Sequence, residues 1–210
     1  MTPEYAGDPV RKIPSWIWWL IVLEVAIAVT VPLYLFLRHG IKGWIPRQKP
    51  IAAVADFYLT ERSGLPFRRA DLIGKVWVAD FIFTRCQGPC PILSKTMAKL
   101  QQALPADVKL VSFSVDPEFD TPTVLSEYAT KYGAKEGRWF FLTAKKQAVY
   151  DVIRKNFKLP GSTAADGGIT HSDRIVLVDK QGKIQAYFEG TEESEIPRLV
   201  TAARQLLDEK

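Results

Sequence analysis

The sequence predicts an α/β fold, a mixed sheet flanked by helices, preceded by a single transmembrane helix. Three observations predict it. Residues 17–37 form an apolar stretch carrying one charge in twenty-one positions. From residue 76 onward, short apolar runs of buried-strand length alternate with apolar residues at helical spacing. The chain then closes with two strands joined by turn chemistry and a last amphipathic helix, an order that implies parallel and antiparallel pairing in one sheet.

Composition narrows the classes. In 210 residues, 47% are apolar and 24% charged, which excludes disorder and fibrous repeats. Two cysteines and two histidines exclude a disulfide-dense scaffold and a four-cysteine zinc site. The net charge of +5 is uneven: residues 1–50 hold six Lys/Arg against three Asp/Glu, and residues 51–210 hold twenty-two against twenty. A nearly neutral body argues against nucleic acid as a partner.

After an N-terminal tail, 1–12, residues 13–37 are expected to be the anchor. At about 1.5 Å per residue the apolar stretch covers roughly 30 Å, enough for a hydrocarbon core. Trp16, Trp18 and Trp19 stand at one end, with Tyr34 and Trp44 towards the other, as interfacial belts require. A cleaved signal peptide would have a shorter apolar core followed by small residues. Here Arg38-His39-Gly40-Ile41-Lys42 follows, so a retained single-pass anchor is expected. Arg11 and Lys12 precede the span, while Arg38, Lys42, Arg47 and Lys49 follow it. Counted alone, these charges would keep the C-terminal domain in the cytoplasm, although long domains cross regardless of them. Glu24 lies mid-span, where an ionisable side chain is costly; it reads as functional or as a protonated or partnered anchor residue.

Residues 38–50, with Pro46 and Pro50, read as a linker, and 51–210 suit one domain. Residues 76–83 are an apolar run of strand length; Leu93, Met97, Leu100 and Leu104 then recur at helical spacing. Residues 109–115 alternate as a strand does. Thr121-Pro122 opens the next helix by cap and first-turn proline, carrying Val124, Leu125, Tyr128 and Tyr132 before Gly133 stops it. Residues 139–142 make a short strand, 145–157 a helix and 174–178 a buried strand. Asp179-Lys180-Gln181-Gly182 is a turn, 183–189 a returning strand, and Ile196, Leu199, Val200, Ala203 and Leu207 line the last helix.

The chemistry falls at the first strand-to-helix junction. Cys86 and Cys90 lie in TRCQGPCP, with Pro91 suited to the first helical position. A helix N-terminus stabilises anions, so lowered thiol pKa values are expected there. The intervening Gly and Pro can bring the sulfurs together for a redox disulfide or turn both towards one metal. A purely structural disulfide would close a very small loop and restrict the unfolded chain little. His171, in GGITHSDRIVLVD, precedes the third buried strand on a glycine-bearing loop that could pass beside the same sheet end. Two thiolates and one imidazole form a soft set that suits Cu(I) and can hold Cu(II). On physical grounds alone, a solvated or loop-bracing histidine is an equal alternative.

The stretches FTRCQGPCP, VSFSVDPEFDTP, Trp139-Phe140-Phe141-Leu142-Thr143 and ITHSDRIVLVDKQGKI resemble the Sco/SenC family of membrane-anchored, thioredoxin-like copper proteins. The resemblance covers essentially all of 51–210. It implies a thioredoxin-like sheet in the periplasm or an equivalent extracytoplasmic space, tethered to the inner membrane. It implies copper held by Cys86, Cys90 and His171, with Asp116 matching an acidic motif near the metal loop; as a turn or cap residue before Pro117, Asp116 has an equally good structural reading. It also implies delivery of copper to the binuclear centre in the copper-bearing subunit of cytochrome c oxidase, or reduction of that centre's cysteines. Other copper chaperones or thioredoxin-like reductants would be further partners. Many family members have proline directly after the first cysteine, where this chain has Gln87-Gly88-Pro89.

A metal-free dithiol reductase is the alternative from another class, with Cys86 and Cys90 redox-active and His171 dispensable. The CxxC spacing of ordinary thioredoxins is absent, as is a proline in 161–172 just before Asp173. Peroxiredoxin proline and threonine positions are occupied by Ala79 and Phe83. Asp80 lies six residues before Cys86, where thioredoxins similarly carry a buried carboxylate; a raised pKa and a proton-relay role are expected if it is buried, and neither if it faces a polar edge.

Overall fold

The computed structural model describes residues 14–39, 49–157 and 172–209, with the side chains at 15, 21, 33 and 35–39 also outside that set. The chain divides into an N-terminal unit, Met1–Trp44, and a domain, Ile45–Lys210. In the first, helix α1 runs over Ser15–His39 for 25 residues, covering residues 15–37 of the expected anchor. Glu24 is exposed on it. Among the described residues no helix is long and apolar enough to cross a membrane.

The domain is built on one eight-stranded sheet. Its strands are β1 (Ala52–Ala53), β2 (Tyr58–Glu61), β3 (Pro66–Arg68), β4 (Trp77–Ile82), β5 (Lys109–Ser114), β6 (Trp139–Thr143), β7 (Arg174–Val178) and β8 (Lys183–Glu189). Its helices are α2 (Cys90–Ala103), α3 (Pro122–Lys131), α4 (Lys146–Val152) and α5 (Glu195–Asp208), with a π turn, Ile153–Phe157, continuing α4. The spatial order is β1-β8-β7-β4-β5-β6-β2-β3. β4 pairs in parallel with β5, and β5 with β6, while β7 runs antiparallel to β4 and β8. The mixed sheet expected from the element order is therefore present. β1, β2 and β3 were not expected: they are short, mixed in character and lie at the two edges.

β4 is central and buried at every position, which is why it reads as an apolar run interrupted only by Asp80. Its alternate residues divide the core. Val76, Val78 and Ile82 pack with α2, α3 and α5 side chains such as Leu93, Leu125 and Leu199. Trp77, Ala79 and Phe81 pack on the opposite face with Val149, Ile153 and Phe157. Thr121 caps α3, its hydroxyl accepting from the Val124 amide at 3.4 Å, as the sequence predicts. The geometry leaves the C-terminal ends of β4 and β5 and the start of β7 at one end of the sheet. The ends of parallel strands are where α/β folds place their chemistry.

Candidate metal centre and dithiol

β4 ends at Ile82, and seven residues later Pro89 caps α2 with Pro91 in its first turn. This places Cys90 as the first helical residue, 1% exposed, and Cys86 in the connecting loop, 8% exposed. Both are thiols and belong to the α2-side core. The Cys86 amide donates to the Phe83 carbonyl at 3.2 Å, closing a turn, and the Gly88 amide reaches Cys86 Sγ at 3.4 Å. Burial pushes the Cys90 thiol up to about 12; the Phe83 backbone amide, bonded to it, pulls the other way, and neighbouring Cys86 and Asp80 add to the rise. The expectation of a lowered pKa at the helix N-terminus is thus corrected for Cys90, because desolvation outweighs the helix end.

The residues before Cys86 are fastened to the segment after β5. Asp120 is fully buried, and its carboxylate accepts from the Thr84 amide at 3.2 and 3.3 Å, the Thr84 hydroxyl at 2.5 Å and the Ser114 hydroxyl at 2.6 Å. Arg85 donates to Asp116 Oδ2 at 2.6 Å and lies over the Phe119 ring at 4.9 Å. Asp116 therefore bonds the neighbour of Cys86, and its amide donates to Ser114 Oγ at 3.1 Å. Asp120 and Thr84 were missed because DPEFDTP reads as turn and cap chemistry. The signal was available: Thr84 and Ser114 are polar residues at the ends of adjacent parallel strands, and such positions require an acceptor when buried.

Asp80 is fully buried on β4, on the same face as Val78 and Ile82. Ser112 donates to its Oδ1 at 2.5 Å, and Trp139 Nε1 donates to Ser112 Oγ at 2.9 Å. Among the described residues its Oδ2 has no hydrogen-bond partner. Burial raises its pKa to about 7, against the opposing hydrogen bonds from Ser112 and its own backbone. The buried alternative weighed from the sequence is the one realised.

His171 lies outside the described residues. The described chain resumes at Ser172, and the register of β7 on β4, with Val176 opposite Ala79, puts Arg174 at the Ile82 end of β4. The Gly190 amide donates to the Asp173 carbonyl at 2.7 Å, and Thr96 of α2 donates to the Gly190 carbonyl at 2.8 Å. The residues following His171 are therefore tied, through Gly190, to the helix that Cys90 opens. Among the described residues no three His, Cys, Asp or Glu gather as a metal site. The described pair alone supplies two buried sulfur donors, whose softness fits Cu(I).

The SCO1/SenC family model matches residues 46–207. The SCO1 protein homolog of Bacillus subtilis is 35% identical over 144 residues, covering 66% of this chain and 75% of the relative. A putative copper-binding protein of Stutzerimonas stutzeri is 27% identical over 179 residues, covering 79% and 84%. Among solved structures, BsSco, described as having a disulfide switch and as a member of the Sco family of cytochrome c oxidase assembly proteins, superposes with a TM-score of 0.69 at 30% identity, covering 78% of this chain and 98% of that one. With the motif loop, the thioredoxin-like sheet and the family match coinciding over one domain, this chain belongs to the SCO1/SenC family.

Proposed function

We propose that the chain is a membrane-anchored copper chaperone that holds Cu(I) or Cu(II) as cargo through Cys86, Cys90 and His171 and assists assembly of the binuclear copper centre of cytochrome c oxidase. The observation that carries this reading is the pair of buried thiols at the β4–α2 junction, at the sheet end where the chain leaving His171 enters β7. Family membership, the copper-binding relative and the oxidase-assembly relative support the metal and the target. Helix α1, with 25 residues and an apolar sequence, supports anchoring in a membrane; a periplasmic domain follows from the family resemblance, against the vote of the flanking charges. Reporter fusions after Leu37 and at the C-terminus test that side; signal from a cytoplasm-specific reporter alone overturns it.

The decisive experiment exposes the reduced full-length protein in detergent to each copper state under a competing chelator. Equimolar retention that is lost on Cys86→Ser or Cys90→Ser is expected. A parent protein that retains no copper, yet exchanges disulfides, overturns the chaperone reading in favour of a thiol-disulfide oxidoreductase acting on envelope cysteines. That second reading has its own support in the relative with a disulfide switch.

A further inference from the structure

We propose that Asp120 is the residue that positions Cys86 against Cys90, acting through a single peptide plane. The inference rests on reading the two cysteines as a working pair. The Phe83–Thr84 peptide is shared between the cysteine loop and Asp120: its carbonyl accepts the Cys86 amide at 3.2 Å, and its N–H points into the Asp120 carboxylate at 3.2 and 3.3 Å. The Phe83 amide, in the preceding Ile82–Phe83 peptide, bonds the Cys90 sulfur. Both thiols are thus referenced to Phe83, and the orientation of its carbonyl is fixed from the far side by Asp120. The Thr84 hydroxyl, donating to the same carboxylate at 2.5 Å, keeps the plane from rotating. Ser114, donating at 2.6 Å from the end of β5, holds the carboxylate itself. Nothing in this arrangement is needed to stop β4 or start α2, since strand pairing and the Pro89-Cys90-Pro91 start do both. A fully buried carboxylate with four donor contacts here has positioning as its task, as groups that orient ligands from behind do elsewhere.

The consequence is directional. Closing the Cys86–Cys90 disulfide fixes Cys86 whatever Asp120 does, so releasing the Phe83–Thr84 peptide adds conformations to the dithiol state only. The disulfide becomes easier to reduce. The measurement equilibrates the full-length protein in detergent with glutathione buffers. The two thiols give up two electrons and two protons to one glutathione disulfide, which leaves as two glutathione thiols. The expected loss in the closure constant for Asp120→Ala is about tenfold, a rise of about 30 mV for a two-electron couple. Asp120→Asn, which keeps one acceptor oxygen, and Thr84→Val, which keeps the backbone bond, should each lose about threefold.

Asp179 is the control. It is also buried and accepts three hydrogen bonds, from Gln181 N, Lys183 N and Gln185 Nε2, but in the β7–β8 turn at the opposite end of the sheet. Asp179→Ala should keep the parent closure constant within about twofold even where it lowers stability comparably. Equal shifts at 120 and 179, or Asp120 and Thr84 variants that all stay within twofold of the parent, overturn the proposal. Should Asp120→Ala not fold, the Asn and Val variants decide. Copper retention by the parent, measured separately, tests the chaperone reading: a parent without copper whose closure constant still depends on Asp120 sinks that reading and leaves the positioning role standing.

Discussion

Ser112 donates a 2.5 Å hydrogen bond to Asp80 in the middle of the sheet, between the two central parallel strands, and Ser112 is itself held by the Trp139 indole. One carboxylate oxygen is served and the other is not. This half-satisfied acid has a measurable thermodynamic signature. Its pKa rises from 3.8 to about 7 on folding, through burial. The folded state therefore binds more protons than the unfolded state between those values, and stability falls as pH climbs from about 4 to 7. At about 1.4 kcal/mol per unit the span is roughly 4 kcal/mol. Denaturant unfolding of the parent and of Asp80→Asn should give similar stabilities near pH 4.5, with the variant ahead by a few kcal/mol at pH 8. A parent–variant difference that does not change with pH removes this account, and with it the basis for a proton role beside Cys90.

Gly190 is required by contact. A Cβ there would run into Leu93 Cδ2 and sit 2.8 Å from the Asp173 carbonyl and from Ile175 Cγ1. Gly190→Ala should cost about 2 kcal/mol, within the range for overpacking a core. For a domain of this size that lowers the melting temperature by about 4–8 °C. Because the strain falls where Asp173 meets α2, the variant should also exchange the amide proton at position 190 faster than those of β8. Unchanged melting with unchanged exchange would show that the strand shifts freely.

Arg85 and Asp116 make an ion pair at 2.6 Å, with the arginine side chain 61% exposed. Exposed pairs contribute at most about 1 kcal/mol and are screened by salt. Arg85→Ala and Asp116→Asn should each change stability by less than that at low ionic strength, with the coupling between them vanishing in a double-mutant cycle at 1 M salt. A coupling that survives high salt would mean the pair is shielded and structurally dominant.

The central strands were legible because burial on both faces leaves a nearly continuous apolar run, as in residues 77–82, where Asp80 is the one polar residue. The helices were legible from their apolar stripes and from Thr121-Pro122. Ala52–Ala53, Tyr58–Glu61 and Pro66–Arg68 were not, since strands of two to four residues at or next to the sheet edges bury too little to impose a pattern. In the site, the cysteines were legible from spacing. The pKa of Cys90 was not, because a helix start can be read from sequence while burial at that start depends on what packs over it. Asp120 was hidden for a similar reason: its partners Thr84 and Ser114 are 36 and 6 residues away. His171 was reached by physical argument only as one of two even readings, and the resemblance singled it out.

The three-ligand proposal makes its sharpest prediction at that histidine. Two thiolates can hold Cu(I) as a near-linear pair, but Cu(II) prefers additional nitrogen or oxygen donors. His171→Ala should therefore separate the two oxidation states. Removing a group that merely supports a ligand costs about 10–100-fold in affinity, so removing the ligand itself should weaken Cu(II) by at least about a hundredfold. Cu(I) should weaken by less than about tenfold, since both sulfurs remain. The sulfur-to-Cu(II) charge-transfer absorption should be lost or shifted in the same titrations. Cys86→Ser or Cys90→Ser, by contrast, should abolish tight binding of both states. A metal-free dithiol enzyme gives another pattern: exchange lost in each cysteine variant and intact in His171→Ala, with no copper held under competition in any of them. Full Cu(II) affinity in His171→Ala would remove the histidine from the site and leave a two-cysteine donor pair.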